Sequence, residues 1–384
     1  METENQVYRN LQKYLDRMPS GFPAAPSGLD IKLLKHLFTL EEARVALQLS
    51  MKPESLQRIY SRVKKSGMDI STGELQKILD EMLRKGTLVP HEDGYSEKHY
   101  SSAEFTAGGI YSVQVDRLTR EFINDFHKYH EETGKPPKPG AKRLIPLRTV
   151  PVEKSIPIPE KNRVSDYDSV RKLIENAPGP LSVANCICRQ TSEILGGHCT
   201  KTDLMETCIM TGPDHARHYV DMGIGRYITK EEALDILDKV QQAGLIIQPE
   251  NSHKPEAICC CCGDCCVLLR PFKNHPRPVE LFISNYYVEF NADLCNGCGD
   301  CIDKCQMEAR VMADGIAKLN PVRCIGCGVC VFVCPTGANK LIKKAEETVL
   351  PRDKDDFNMQ TLANRTGRWN TLKVRAKMLL GMKA

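Results

Sequence analysis

The sequence predicts a multidomain α+β chain: a winged-helix-like N-terminal domain, a mainly helical cysteine-rich middle domain, and a small C-terminal domain wrapped around a repeated cysteine run. Three observations carry this prediction. Helical periodicity followed by a turn-tipped hairpin fills residues 28–105. Ten of the 18 cysteines fall between Cys186 and Cys266, on either side of one strongly patterned helix. The other eight form two copies of one spacing between Cys295 and Cys334. Shifts in composition divide the chain into 1–134, a proline-rich extended linker at 135–161, the cysteine-rich region 162–280, the repeated-cysteine domain 281–345 and a basic tail 346–384.

Composition narrows the function classes. At 384 residues there is room for two or three domains. A net charge of +4 is too small to imply a nucleic-acid partner by itself. The start METENQVYRN has no apolar leader, and no stretch is long enough to span a bilayer. So many thiols without a leader point to a reducing, cytoplasmic setting and to metal binding instead of disulfides. No G-x-G-x-x-G follows a strand and no P-loop is present, so the chain is not expected to bind NAD or ATP on its own.

Taken in order, Val7, Leu11, Leu15 and Met18 have helical spacing, and PSGFPAAPSG then breaks the pattern. Ile31, Leu34 and Leu37 begin a second helix. Thr39 before Glu41 and Glu42 reads as an N-cap, and Pro53-Glu54 reads as the opening of a helix through Val63. Ser71 with Glu74 forms a capping-box pattern, Gly86 a stop, and Asp93-Gly94 the tip of a hairpin. Helices followed by such a hairpin outline a winged helix. Lys52, Arg58, Arg62, Lys64 and Lys65 are interleaved with acidic residues, so the domain reads as a docking module, with DNA binding as the alternative. Residues 110–132 read as a further helix whose apolar face is core, with His127 and His130 on the surface. Seven prolines in 135–160 exclude a helix; Leu144, Ile145, Ile156 and Ile158 imply a strap lying along the protein.

The middle region carries Cys186, Cys188, Cys199 and Cys208, then a helix capped by Thr229 and ended by Gly244, then Cys259, Cys260, Cys261, Cys262, Cys265 and Cys266. The helix brings the two thiol sets toward one site. Unliganded thiols invite oxidation, so metal is the default reading. The candidates are a third iron–sulfur cluster, then zinc, then redox-active thiols; Cys259…Cys262 and Cys262…Cys265 have the C-x2-C spacing of zinc sites. His198, His215 and His218 are further ligand candidates, His215 and His218 reading better as ordinary surface or helix residues. Arg189 is placed to stabilise a thiolate or an anionic cluster. The ligand subset stays open, since neighbouring members of 259–262 point in different directions.

The C-terminal repeat reads Cys295-x2-Cys298-x2-Cys301-x3-Cys305, then 18 residues, then Cys324-x2-Cys327-x2-Cys330-x3-Cys334-Pro335. Three thiolates on one tight loop each reach a different iron of a cubane, and the fourth, just beyond, ligates the other cluster. This assigns Cys295, Cys298, Cys301 and Cys334 to one 4Fe–4S cluster, and Cys324, Cys327, Cys330 and Cys305 to a second. Gly297, Gly299, Gly326 and Gly328 suit the tight loops. From Thr361 the tail has six basic residues and no acidic one, with Leu372, Met378, Leu379, Leu380 and Met382 among them. Such a segment suits a partner's groove or a peripheral membrane contact.

These motifs resemble bacterial dicluster ferredoxin domains over residues 285–345. Gln306 departs from that pattern, standing where proline often follows the fourth cysteine. The longer chain resembles a family of 4Fe–4S-binding proteins of anaerobic bacteria and archaea in GFPAAPSGLDIKLLKHLFTLEEA, NCICR, GGHC with Cys208, MGIGRYITKEEALDIL and CCCCGDCC. The resemblance implies a C-terminal 2×4Fe–4S ferredoxin-like fold and electron transfer to larger redox enzymes, with no defined substrate. The expected function is therefore passage of single electrons through two 4Fe–4S clusters and a third metal centre to or from a partner oxidoreductase, as a subunit instead of a stand-alone enzyme. A redox-sensing winged-helix regulator is the alternative.

Overall fold

The computed structural model describes residues 2–92, 94–106, 108–134, 145–156 and 168–379. The chain forms two compact units. One comprises Met1–Leu144, His218–Ile224 and Asn358–Ala384; the other comprises Ile145–Arg217 and Gly225–Phe357.

In the first unit the helices are Glu4–Asp16, Leu29–Leu37, Leu40–Ala46, Leu56–Lys65, Thr72–Arg84 and Arg120–Thr133, with strands β1 (Glu54–Ser55), β2 (Leu88–His91) and β3 (His99–Ser102). Thr39 with Glu42, and Ser71 with Glu74, each close a reciprocal capping box, an arrangement contributing about 1 kcal/mol per cap. The strands make an antiparallel sheet ordered β1-β3-β2. Tyr14 ties the first helix to it: its hydroxyl lies 2.8 Å from Ser102 Oγ and donates to Leu49 O at 3.0 Å.

Two local expectations are corrected. Glu54 does not open a helix. It is a strand residue paired with Tyr100, and the helix begins at Leu56. Sheet pairing gives its backbone partners that a first helical turn would leave open. Its buried carboxylate is clasped by the Arg62 guanidinium from the following helix. Likewise 110–132 is not one helix. Ser112–Gln114 is a 3-10 turn, Asp116 sits at φ 60°, and the helix restarts at Arg120 with Thr119 accepting the Phe122 N–H. The hairpin's tip residue Asp93 lies outside the described residues.

To the helices expected of the middle domain the second unit adds a sheet. Strands β4 (Leu181–Asn185), β5 (Glu206–Met210), β6 (Gly225–Ile228), β7 (Ile246–Pro249) and β8 (Ala257–Cys261) form a five-stranded antiparallel sheet ordered β6-β4-β5-β8-β7. These segments are four or five residues long, and two of them carry cysteines. Short buried runs give little period-two signal. A cysteine behaves there as a small apolar residue of a strand. The helix Lys230–Ala243 lays Ala233, Leu237 and Val240 over Val183, Ile209 and Ile258 on one face of the sheet. Residues 145–156 run along the outer edge of β7. The Arg148 N–H donates to Pro249 O at 3.0 Å, and the Val150 N–H to Ile247 O at 3.2 Å. The fully buried Arg148 guanidinium meets Asp168 at 3.2 Å, and Asn285 Nδ2 donates to the same carboxylate at 2.8 Å. Ile145 and Ile156 are buried; Leu144 and Ile158 lie outside the described residues.

The remainder of this unit is two similar halves. β9 (Tyr286–Phe290) pairs with β12 (Asn339–Lys343), and β10 (Arg310–Ala313) with β11 (Ile316–Leu319), all antiparallel. One-turn helices Asp300–Asp303 and Val329–Phe332 each follow a left-handed glycine, Gly299 and Gly328. The tail forms helices Lys354–Thr366 and Arg368–Leu379; Leu380 and Met382 lie outside the described residues, as do the side chains of Met378 and Leu379. Among the described residues no helix is long and apolar enough to cross a membrane.

Candidate metal centres

The two C-terminal loops are shaped by what a side chain would strike. A Cβ on Gly297 (φ +73°) would lie 2.3 Å from Gly315 O, and one on Gly326 (φ +69°) 2.1 Å from Tyr286 O. Only glycine fits these backbone approaches. The loops gather thiols from both halves. Burial pushes the Cys301 thiol up, and Cys298, Cys334 and Cys295 are near enough to add to this. Burial pushes Cys327 well up, with Cys330, Cys305 and Cys324 as its thiol neighbours. The fold therefore gathers Cys295, Cys298, Cys301 and Cys334 into one group and Cys305, Cys324, Cys327 and Cys330 into another. Each group contains the distal cysteine of the other run.

Arg310 lies beside these groups. Its guanidinium is 5.1 Å from the Phe290 ring centroid, and Nη2 is 3.6 Å from Cys330 Sγ. Its Nε and Nη1 are buried without a protein partner among the described residues. Its Nη2 also donates to Asn339, and a buried cation with two such open nitrogens beside thiol groups fits an anionic cluster held between them. The Ala309 N–H donates to Cys305 Sγ at 3.2 Å, the kind of bond that tunes a cluster thiolate.

In the middle region the period of two of β8 sorts the cysteine run. Cys260 joins Ile209, Ile247 and Ile258 in the apolar core under the helix Lys230–Ala243. Cys259 and Cys261 face the other way, and Cys208 pairs directly with Cys259 across the sheet. A chain of thiol contacts then runs from Cys208 to Cys259, Cys261, Cys266, Cys188 and Cys186. Within it Cys266 is pulled down to about 5, first by its hydrogen bond with Cys188 and then by that with Cys261. This is the behaviour of thiols crowded closely enough to share protons.

A separate group comprises Cys199, Cys262, Cys265 and Asp264, whose ligand atoms all lie within 4.8 Å of one another. Asp264 was missed in the sequence because a lone Gly-Asp between cysteines reads as turn chemistry. Arg189, only 1 % exposed, extends Nη1 to Cys260 O at 3.2 Å and also bonds Thr207 and Cys262. Of the candidate histidines, His215 is near enough to Cys259 to act on its thiol, and among the described residues none joins the group of Cys199, Cys262, Cys265 and Asp264. His198 is exposed, His215 lies 3.8 Å from Glu256, and His218 belongs to the first unit.

Gln306 occupies the position where proline was expected. It is 2 % exposed. Its Oε1 accepts the Gly263 N–H at 2.8 Å and its Nε2 donates to Gly244 O at 2.9 Å. A Cβ on Gly263 would lie 2.2 Å from Gln306 O. Gln306 thus fastens the Cys262–Cys265 turn to the loop that carries Cys305.

Residues 294–338 match the family described as the 4Fe-4S dicluster domain. No curated protein and no solved structure matches the chain. The C-terminal domain is of the ferredoxin type, and together with the clustered cysteines it implies iron–sulfur clusters.

Proposed function

We propose that the protein passes single electrons between a low-potential donor and a partner redox enzyme, as a subunit of a larger oxidoreductase. Two 4Fe–4S clusters, held by Cys295, Cys298, Cys301 and Cys334 and by Cys324, Cys327, Cys330 and Cys305, together with a third iron–sulfur centre in the middle region, form the path. One observation carries this reading. Cys261 and Cys266, with Cys259 packed against them, share a single apolar cluster with Met307 and Ile325, and Cys305 and Cys327 pack on the same cluster. Three of the middle thiols and two of one dicluster group are therefore neighbours across an apolar contact. When bound, iron–sulfur clusters supply one-electron redox chemistry. The chain's own residues exclude water with Met307 and Ile325, fix the spacing through Gln306, and offset negative charge with Arg189 and Arg310.

The outlet lies at the other group, where Cys298 is exposed beside Leu294, Val311 and Met312. Asp293, Asp300 and Asp303 are exposed in the same segment of chain, which favours a partner with a basic face. The tail helix, with Trp369 and Leu372 exposed, is a second contact for that partner or for a membrane surface.

Anaerobic iron and sulfide analysis combined with EPR of the reduced protein tests the path. The expected result is about twelve irons per chain and signals broadened by coupling between neighbouring centres. About eight irons, with no redox-active centre in the middle region, would overturn it.

A regulator reading has one observation in its favour: three helices and a β1-β3-β2 sheet are the parts of a winged helix. Against it, the helix Thr72–Arg84, which would enter the major groove, carries Glu74, Asp80 and Glu81, and its Arg84 is paired with Glu81. A protein-docking role for this domain is the better fit. Salt-dependent duplex binding at low ionic strength would reverse that preference.

A further inference from the structure

We infer that the middle region holds two separate metal centres, and that Cys199, Cys262, Cys265 and Asp264 form the second, a mononuclear zinc site. This rests on the metal-binding reading of the cysteine-rich region, but not on electron transfer.

The first argument is spacing. Three sulfurs and one carboxylate oxygen lie within 4.8 Å of one another. Four ligands at the ordinary zinc distances, about 2.3 Å for sulfur and 2.0–2.2 Å for oxygen, fit around one tetrahedral ion in such a space. In a cubane each cysteine binds a different iron, so its sulfurs must spread wider than ligands sharing one ion.

The second argument is local design. The Lys201 and Thr202 N–H groups point at Cys199 Sγ, and the Cys265 N–H points at Cys262 Sγ. Two short turns thus present donors to their own leading sulfur, as a thiolate requires. Asp264 bridges the turns. Its Oδ2 accepts the Thr200 N–H at 2.7 Å and the Thr200 hydroxyl at 2.9 Å. Its Oδ1 accepts the Cys265 N–H at 2.9 Å and lies 3.5 Å from Cys199 Sγ. Oδ2 therefore holds the Thr200 loop, while Oδ1, besides accepting the Cys265 N–H, lies beside Cys199 Sγ. Arg189 bonds Cys262 and offsets part of the charge of three thiolates and a carboxylate.

The third argument is separation. Cys262 and Cys265 belong to the apolar cluster beneath the helix Lys230–Ala243, and Cys199 packs against it. Cys261 and Cys266, with Cys259 packed against them, belong to the cluster that reaches the dicluster domain, and of their group Cys188 packs on the first cluster. The sheet's alternation divides adjacent cysteines between two sites. The zinc site locks the turn that Gln306 fastens, and the six-thiol group is left as the redox centre.

The test uses the full chain, produced with iron and zinc supplied and purified anaerobically. Wild type should contain about one zinc, with a K-edge spectrum of three sulfurs and one oxygen. Cys199→Ser should lose at least tenfold of its zinc while keeping all its iron, and Cys261→Ser should lose iron while keeping zinc. Four sulfurs around the zinc would overturn the role of Asp264. Absence of zinc from wild type, or parallel loss of iron in both variants, would overturn the two-centre division. The wild-type spectrum decides even where a variant fails to fold. The wild-type iron count reports separately on the electron path, so failure of either reading is distinguishable from failure of the other.

Discussion

Replacing Gln306 by leucine should loosen the join between the dicluster loop and the cysteine-rich turn. The side chain is buried and makes two bonds to backbone groups, the Gly263 N–H at 2.8 Å and Gly244 O at 2.9 Å. Leucine nearly conserves volume but strands both. A buried polar group left without a partner costs about 1–3 kcal/mol, so the pair amounts to about 2–6 kcal/mol. Local opening of the turn then becomes easier by at least ~2 kcal/mol, which is about 30-fold in its equilibrium. Gln306→Pro, the residue more usual after a fourth cluster cysteine, should behave the same way: it restores a rigid turn but has no amide to offer. Deuterium exchange of the anaerobic holoprotein reads this directly at the Gly263 amide, in peptides spanning 258–268. Exchange within threefold of wild type in both variants would refute the argument, because it would mean that the two bonds do not hold the turn shut.

Other consequences can be checked separately. Arg310→Met removes a buried cation beside Cys330 and should lower a dicluster reduction potential by on the order of 50 mV, a ~1 kcal/mol effect; unchanged potentials in a redox titration would show the charge to be fully screened. Arg62→Met leaves the Glu54 carboxylate, 5 % exposed, with only Arg58, 3.7 Å away, as its counter-charge among the described residues, and should destabilise the N-terminal unit by about 2 kcal/mol in denaturant unfolding. Cys260→Ala removes only a core thiol, so iron and zinc contents should stay at wild-type levels; loss of either metal would make Cys260 a ligand. Glu74 is held below its ordinary carboxylate range, first by the Ser71 backbone N–H and then by the Ser71 hydroxyl. Its capping contribution is complete above the unfolded pKa and disappears as pH falls through the depressed folded value. A carboxyl NMR titration should show Glu74 titrating below a free glutamate, and Ser71→Ala should move it upward.

The cluster loops were legible because their chemistry is local. C-x2-C-x2-C-x3-C sets three thiols on one turn, and Gly297 and Gly326 mark the only backbone those turns accept. The capping boxes at Thr39 and Ser71 were readable for the same reason, since each is complete within four residues. The misreadings arose where distant chain decides. Glu54 became a strand residue because Tyr100 lies opposite it, and the middle region acquired a sheet because β4 pairs with β6, and β5 with β8, across long intervals.

By itself the sequence located the dicluster domain, implied iron–sulfur clusters there, and marked the middle region as cysteine-rich. The partition of those thiols belonged to the tertiary structure. Cys259 and Cys261 turn one way, Cys260 turns into the core, and Cys262 turns toward Cys199 and Asp264. The physical reason is that a strand sends successive side chains to opposite faces, and what each face meets is set by elements far away in the chain. Gln306 shows the same division: in sequence it is a missing proline, and in the fold it joins two cysteine loops.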